Sequence, residues 1–175
     1  MRVERFTLAL ARPLDTARGR IETREGALVR AGDDGPRGVG ETTPLPGWTE
    51  ELDAALAALD AADASTPLSA LDGTPAARHG LATARLDAAA RAAGESLAAR
   101  LADGRPARRV PVNATVGDGS PDETAARARE AVAAGFGCLK VKVGARTVAG
   151  DAERLRAVRA AAPDATIRAD ANGAW

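Results

Sequence analysis

Two lysines separated by a single residue are the strongest candidates for chemistry in this sequence. Lys140 and Lys142 are its only lysines, although the chain carries 24 basic residues. They alternate with apolar residues along 139–143, so that in a strand both ammonium groups project from one face. Neighbouring ammonium groups disfavour each other's charge, which favours a neutral lysine able to accept a proton from carbon.

An aspartate, Asp170, ends the next apolar run of the sequence at 167–170, and Asn172 follows it. If both runs are parallel strands one βα unit apart, their carboxyl ends bring these side chains to the same place as the lysines. A hard oxygen ligand beside proton-transfer lysines predicts Mg²⁺ that neutralises an enolate. One carboxylate cannot make such a site, so the other ligands are expected beyond Trp175. A turn-forming or helix-capping role for Asp170 is the alternative.

The lysine pair also has a structural interpretation, an amphipathic strand with both ammonium groups in water. A strand flanked by crossover helices is normally apolar on both faces, and burying an unpaired charge there is costly. In a barrel, however, one face of each strand points to the interior, and catalytic groups lie at the carboxyl end. A non-catalytic α/β fragment remains the alternative from another class. Lysines more than about 12 Å from the Asp170 carboxylate would favour that alternative.

The second part of the chain alternates strand and helix patterns. Strand starts recur about every 28 residues, which is the length of a βα unit with a parallel crossover. Ser120, Pro121 and Glu123 predict a helix start with a capping box. The predicted elements are strands at 110–115, 138–143 and 166–170 and helices at 121–134 and 148–161. Three parallel strands with two helices leave an edge unpaired, so we expect the chain to be truncated.

The first part of the chain favours an antiparallel sheet followed by helices. Alternation predicts a strand at 2–10, and a hairpin joins 26–31 to 38–42 around Asp33-Asp34-Gly35. The polar stretch 13–25 is interpreted as a mobile loop, and a second loop covers 43–47. Thr49 is expected to cap a helix that ends near Asp60, and a longer helix spans 75–93. The two patterns predict domains at 1–108 and 109–175.

Composition restricts the function classes. The 175 residues are 45% hydrophobic and carry 24 basic and 24 acidic side chains, which gives no electrostatic reason to bind nucleic acid. No apolar run reaches the roughly 18 residues that span a bilayer, and the N-terminus lacks a secretory pattern, so a cytoplasmic protein is expected. The single cysteine, Cys138, excludes an internal disulfide. His79 is interpreted as structural. The expected partner is a small molecule, and a homo-oligomer is left open.

Three stretches of the sequence resemble the enolase superfamily, and they span the chain from end to end. They are Gly38-Val39-Gly40-Glu41-Thr42-Thr43-Pro44-Leu45-Pro46-Gly47, Lys140-Val141-Lys142-Val143-Gly144 and Arg168-Ala169-Asp170-Ala171-Asn172-Gly173-Ala174-Trp175. The resemblance implies an α+β capping domain followed by the start of a modified TIM (β/α) barrel. Within the superfamily the stretches look most like the o-succinylbenzoate synthase family of menaquinone biosynthesis.

The resemblance implies roles for four residues near the strand ends. Lys142 would remove the proton α to the substrate carboxylate and return a proton to the departing hydroxyl in a syn elimination. Lys140 would tune Lys142 and stabilise the enediolate. Asp170 would be the first of three Mg²⁺ ligands, and Asn172 would lie close by in a supporting role. The family's other two carboxylate ligands and its second catalytic lysine have no counterpart here, so this chain alone is expected neither to bind metal normally nor to turn over.

The resemblance also implies substrate contacts from the first domain. Loops at 15–24 and 43–48 would close over the substrate, a carboxylate, and Arg24, Pro46 and Gly47 would contact it. The implied reaction is Mg²⁺-dependent dehydration of 2-succinyl-6-hydroxy-2,4-cyclohexadiene-1-carboxylate to 2-succinylbenzoate. The alternative within the superfamily is an N-acylamino acid racemase or a dipeptide epimerase.

Overall fold

A computed structural model of the chain describes residues 1–16, 19–32, 37–102 and 105–175. These residues form two compact units, Met1–Ala107 and Arg108–Trp175. Across the described ranges, no helix is both long and apolar enough to cross a membrane.

The first unit contains an antiparallel sheet and three α-helices. Its elements are β1 (Arg2–Thr16), β2 (Gly19–Ala31), β3 (Gly38–Thr42), α1 (Leu52–Asp60), a 3₁₀ turn (Leu68–Leu71), α2 (Pro75–Ala92) and α3 (Leu97–Leu101). The strand order is β1-β2-β3, with both pairs antiparallel, so the predicted sheet and the pairing of 26–31 with 38–42 are confirmed. The predicted turn at Asp33-Asp34-Gly35 lies outside the described residues.

Close packing of α2 on β3 organises the core of the first unit. A Cβ at Gly40 would overlap the carbonyl oxygen of Gly80, so two glycines let the helix and strand approach each other. The carboxylate of Glu50 accepts the N–H groups of Ala76 and Ala77 at 3.1 and 2.9 Å and thereby caps the first turn of α2. Buried Leu and Ala side chains from α1, α2 and β2 fill the space between these elements.

The prediction of a mobile loop at 13–25 is wrong for the described residues, because 13–16 continue β1 and 19–25 belong to β2. Leu14 pairs with Ile21 and Leu8 pairs with Arg24, and the register shifts between Ala9 and Leu14. The stretch is polar because a two-stranded ribbon exposes both faces, so its side chains do not show the alternation of a half-buried strand. Backbone pairing therefore orders a segment whose composition is typical of a loop.

Thr49 does not cap α1, contrary to the prediction. The N-cap position of α1 belongs to Glu51, without a side-chain hydrogen bond, and α1 begins at Leu52. The Thr49 hydroxyl instead accepts the N–H of Leu45 at 2.9 Å, which closes the preceding turn. A threonine three residues before the first helical residue has this competing local partner, and its hydroxyl binds within the turn.

The second unit is a parallel three-stranded sheet covered by two helices. Its elements are β4 (Ala114–Val116), α4 (Pro121–Ala133), β5 (Cys138–Lys142), α5 (Val148–Ala161) and β6 (Thr166–Asp170). The strand order is β4-β5-β6, and both pairs are parallel. The predicted capping box is confirmed, since the Ser120 hydroxyl and the Glu123 carboxylate each accept the other's N–H. The predicted bounds of α5 and β6 are also confirmed.

The first strand of the second unit is shorter than its β-branched run. The predicted strand at 110–115 is wrong at its start, because β4 begins at Ala114, and Val110 and Val112 are 73% and 68% exposed. On the central strand β5, Leu139 and Val141 are fully buried and face the helices. The alternation of β5 therefore places both lysines on the other face of the sheet.

Candidate active site

The register of β5 and β6 brings the two lysines to one carboxylate. Lys142 lies directly beside Asp170 in the parallel pairing. The Nζ of Lys142 is 2.7 Å from Asp170 Oδ2, and the Nζ of Lys140 is 3.3 Å from the same oxygen. Both distances are far below the roughly 12 Å that would favour a non-catalytic module. The three side chains form a single charged cluster at the carboxyl ends of these strands.

Asn172 completes the cluster from the turn that follows β6. Its Oδ1 accepts a hydrogen bond from Lys142 Nζ at 2.7 Å, and its N–H donates to Asp170 Oδ1 at 3.1 Å. Asn172 has a φ of 48°, in the left-handed region that asparagine tolerates better than most residues. This turn conformation lets one residue bind the lysine and the carboxylate at the same time.

The surroundings of Asp170 hold its carboxyl group ionised. The hydrogen bond from Lys142, followed by the Asn172 N–H and the Lys140 ammonium, lowers the pKa of Asp170 to about 2. The side chains of both lysines are 33% exposed and that of Asp170 is 28% exposed, so solvent and a small ligand can reach the cluster. The arrangement offers a nitrogen base, a second cation and an ionised oxygen ligand. Both lysine Nζ atoms lie within 3.3 Å of the carboxylate oxygen Oδ2 of Asp170.

The residues at this cluster do not form a complete metal centre. In the described parts of the chain, no three His, Cys, Asp or Glu side chains come together in a way that could hold a metal ion. Asp170 fits the role of one hard oxygen ligand, and the partners in contact with it are ammonium groups and an amide. Among the described residues, Asp170 is thus a candidate ligand of a Mg²⁺ site whose full set of three ligands is not present.

Two of the three residues predicted to contact substrate from the first unit line a cavity within that unit. This cavity has a volume of about 290 Å³, and Arg24 and Pro46 both line it. The Arg24 Nη2 donates to the carbonyl oxygens of Thr43 and Pro44 at 3.0 and 3.2 Å, so its guanidinium group binds the neighbouring loop. Gly47 has a φ of 77° in the turn after Pro46, as a type II turn requires.

Arg154 and Asp151 also reach the lysine strand, and the sequence analysis missed both. They lie on α5 with only 1% of each side chain exposed, and their charged groups are 2.9 Å apart. Arg154 Nη1 donates to the carbonyl oxygen of Lys142 at 2.8 Å. The pair shares the buried face of α5 with Val158, at helical spacing. An acid and a base three residues apart on an apolar stripe would have indicated a buried ion pair.

Comparison with known proteins gives matches over the whole chain. Residues 123–175 match the family described as enolase C-terminal domain-like. The L-Ala-D/L-Glu epimerase of Escherichia coli (strain K12) is 33% identical over 171 residues, which cover 93% of this chain and 52% of the relative. The o-succinylbenzoate synthase of Enterobacter sp. (strain 638) is 33% identical over 162 residues, which cover 89% and 45%. The chain thus spans about half the length of the curated relatives it matches.

Solved structures agree with these matches. A dipeptide epimerase from Enterococcus faecalis V583, complexed with Mg and the dipeptide L-Leu-L-Tyr, has a TM-score of 0.84 and 29% identity over 99% of this chain and 53% of its own. An o-succinylbenzoate synthase from Thermosynechococcus elongatus BP-1, complexed with Mg in the active site, has a TM-score of 0.68 and 29% identity over 99% of this chain and 52% of its own. The predicted fold class, an α+β capping domain followed by the start of a modified TIM (β/α) barrel with enolase-superfamily architecture, is therefore confirmed.

Proposed function

We propose that Lys142 removes the proton α to the carboxylate of a small-molecule substrate. The observation that carries this proposal is the shared contact of Lys142 Nζ, 2.7 Å from both Asp170 Oδ2 and Asn172 Oδ1. These contacts aim the amine at the carboxyl ends of β5 and β6, which is where catalytic groups of (β/α) barrels lie. A base held at a fixed point is the first requirement of proton abstraction from carbon.

The cluster has the charge that this reaction needs. When the C–H bond breaks, its electron pair moves onto the substrate carboxylate and forms an enediolate, while the neutral amine of Lys142 takes the proton. With Lys142 neutral, the ammonium group of Lys140 is the cation of the resting cluster, 3.3 Å from Asp170 Oδ2. Lys140 remains a cation beside the developing negative charge and lowers its free energy.

We further propose Mg²⁺ as the cofactor of the complete protein, with Asp170 as one of its ligands. The support is that solved structures similar to this chain are complexed with Mg. When bound, the ion would neutralise charge on the enediolate oxygens. The domains proposed for the chain are a capping domain at 1–108 and the first three barrel strands with two helices at 109–175.

For the overall reaction we propose o-succinylbenzoate synthesis. After the α-proton leaves, the electron pair of the enediolate expels the hydroxyl from the adjacent ring carbon. Lys142 gives its proton to that hydroxyl, so water departs from the face from which the proton was taken, and 2-succinylbenzoate remains. The Pro-Leu-Pro-Gly loop at 44–47 and the Asp-Ala-Asn-Gly-Ala-Trp stretch at 170–175 support this choice, as does the relative at 33% identity. In this proposal Arg24, Pro46 and Gly47 contribute to substrate recognition.

The test uses the complete protein with 2-succinyl-6-hydroxy-2,4-cyclohexadiene-1-carboxylate and Mg²⁺. Lys142→Ala is expected to lower kcat by about a hundredfold to ten-thousandfold, because general base catalysis typically contributes two to four orders of magnitude. Arg129→Ala is the matched control, since Arg129 is an exposed cation on α4, which covers the sheet face opposite the lysines, and it should keep near wild-type rates. Wild-type turnover in Lys142→Ala would exclude the proton-transfer role.

A dipeptide epimerase is the second candidate, because the comparisons specifically favour it. The dipeptide epimerase structure superposes more closely than the o-succinylbenzoate synthase structure, with TM-scores of 0.84 and 0.68. Epimerisation begins with the same α-proton abstraction but returns a proton to the other face without losing water. Incubating L-Ala-L-Glu with the complete protein in D₂O separates the two reactions. Deuterium at the α-carbon together with the D-Glu isomer would support the epimerase, and dehydration of the cyclohexadiene would support the synthase.

A further inference from the structure

Arg154 reaches from α5 to the carboxyl ends of two neighbouring strands. Its Nη2 donates to the carbonyl oxygen of Gly117, just after β4, at 2.9 Å, and its Nη1 donates to the carbonyl oxygen of Lys142 at 2.8 Å. Its Nε donates to the hydroxyl of Thr124 at 3.3 Å. Only 1% of the Arg154 side chain is exposed. Its N–H groups donate hydrogen bonds to the backbone and side chains that surround the end of β5.

Asp151 holds the next peptide on the same strand. One of its carboxylate oxygens pairs with Arg154 at 2.9 Å, and the other accepts the N–H of Gly144 at 2.7 Å. The carbonyl of Lys142 and the N–H of Gly144 lie on either side of Val143, whose own N–H donates to the carbonyl of Asp170 at 3.0 Å. Three hydrogen bonds thus fix the backbone immediately after Lys142.

A buried ion pair is a poor device for stability alone, because desolvation offsets much of its attraction and an apolar pair often serves as well. Fixing the peptide beyond Lys142 also fixes the direction of its Cα–Cβ bond, from which the amine reaches Asp170. A catalytic group displaced by about 1 Å can lose about a hundredfold in rate. The Arg154–Asp151 pair therefore acts on the backbone whose position sets where the Lys142 amine lies, and the rate of proton transfer is sensitive to that position.

We propose that the buried Arg154–Asp151 pair positions Lys142 for proton transfer, an inference that rests on the proposed function. Neither side chain touches the cluster of Lys142, Lys140 and Asp170 through its charged atoms, so both are positioning residues. They act through the carbonyl of Lys142 and the amide of Gly144. Loss of the pair would leave the lysine present but allow the end of β5 to move.

The decisive variant removes both charges at once, since a single substitution would leave one buried charge without its partner. We compare wild type with the double variant Arg154→Met, Asp151→Asn in the complete protein. The substrate is whichever of 2-succinyl-6-hydroxy-2,4-cyclohexadiene-1-carboxylate and L-Ala-L-Glu the wild type converts. We expect kcat to fall about 10- to 100-fold with KM changed less than about threefold, and hydrogen exchange at the Gly144 amide to accelerate.

Arg159 provides the matched control on the same helix. It also donates to backbone carbonyls, those of Pro163 and Ala165 at 2.9 and 2.8 Å, but these lie before β6, at the opposite end from the lysines. Arg159→Met should lower stability and leave kcat within about twofold of wild type. Arg154→Lys should have a kcat between those of the double variant and wild type, since an ammonium group can still donate a hydrogen bond to the Lys142 carbonyl.

Each outcome decides between the proposals. A double variant that folds with kcat within twofold of wild type overturns the positioning role, as does an equal loss of kcat in Arg159→Met. Wild-type protein that exchanges no α-proton contradicts the proposed function instead. In that case crystal structures of wild type and double variant decide the inference. An unchanged distance between Lys142 Nζ and Asp170 Oδ2 would then overturn the positioning role, and a lengthened one would support it.

Discussion

Two charged clusters lie at the carboxyl end of β5 and differ in exposure and in what they bind. The first joins Lys140, Lys142 and Asp170, whose side chains are 28–33% exposed and bind one another. The second joins Arg154 and Asp151, which are 1% exposed and bind backbone groups. Charges that must exchange protons with a ligand need access to it, whereas charges that hold a peptide in place do not. In the proposed function, the same chemical types therefore serve the reaction on one face of the strand and hold the backbone on the other.

The largest effect on stability is expected from breaking the buried pair. Arg154→Met leaves the carboxylate of Asp151 buried without its cation, which should lower the free energy of unfolding by about 3–5 kcal/mol. Lys142→Met removes one partner of the more exposed cluster and should cost less than about 1 kcal/mol. Urea denaturation of both variants measures the difference. Equal losses would show that exposure does not separate the two clusters.

The second prediction concerns Gly144, which links the clusters. It follows the lysine strand, donates its N–H to Asp151, and has a φ of 92°. A Cβ here would also lie 2.8 Å from the Cβ of Ala174. Gly144→Ala should therefore lower the free energy of unfolding by about 1–3 kcal/mol. As a control, Gly150→Ala in the first turn of α5 should be neutral or stabilising by up to about 1 kcal/mol, and thermal unfolding distinguishes the two. If Gly144→Ala and Gly150→Ala were equally stable, a Cβ at position 144 would not strain the backbone there.

The third prediction uses pH to test the more exposed cluster. Its contacts, led by the hydrogen bond from Lys142, lower the pKa of Asp170 from 3.8 to about 2. A carboxyl group with a lowered pKa stabilises the fold fully above its unfolded pKa and loses that effect as pH falls through its folded value. The difference in stability between wild type and Asp170→Asn should therefore be full above about pH 4 and decline toward pH 2. Chemical denaturation across this range measures it.

Asp63 offers a control for the third prediction, because its pKa is also lowered to about 2, by hydrogen bonds from Ser65 and Thr66. Asp63→Asn should show the same decline with pH. Added salt should weaken the effect at Asp170, which faces two ammonium groups, more than the effect at Asp63, which faces neutral donors. Identical salt responses would contradict the ionic origin of the Asp170 shift.

The smallest effect is expected at an exposed ion pair next to the buried cluster, where Asp118 Oδ1 also lies 3.4 Å from Arg154 Nη1. Arg146 binds the carboxylate of Asp118 with two hydrogen bonds of 2.9 and 3.3 Å, but the two side chains are 43% and 46% exposed. Arg146→Met should change the free energy of unfolding by less than about 1 kcal/mol, and salt should reduce the difference further. A loss as large as that of Arg154→Met would show that geometry outweighs burial in this unit.

The sequence was sufficient to predict the more exposed cluster because its geometry follows from local patterns. Alternation in β5 and the spacing of parallel βα units place Lys140, Lys142 and Asp170 at neighbouring strand ends whatever the packing details. The capping box of α4 was predictable for the same reason, since Ser120 and Glu123 interact within one turn.

Other features could not be predicted, because they depend on partners far apart in the sequence. The Arg154 contacts with Gly117 and Lys142 span 37 and 12 residues, and periodicity alone assigns an arginine on a helix to the surface. The ribbon formed by residues 13–16 and 19–25 is ordered by pairing between strands rather than by its composition. A threonine at position 49 can serve either the preceding turn or the helix start, and in the folded chain its hydroxyl accepts the N–H of Leu45 in the turn.

The register shift in the β1–β2 ribbon has a consequence for how the chain can vary in length. Ala9 pairs with Thr23 and Leu14 with Ile21, so the four residues 10–13 of β1 stand opposite the single residue 22 of β2. At such a bulge the number of residues in one strand can change without changing which residues of the two strands pair on either side of it. Residues could be added or lost at 10–13 while Leu8 still pairs with Arg24, whereas one residue inserted in β2 would turn every following side chain to the other face. Insertions and deletions in natural variants should therefore concentrate at 10–13.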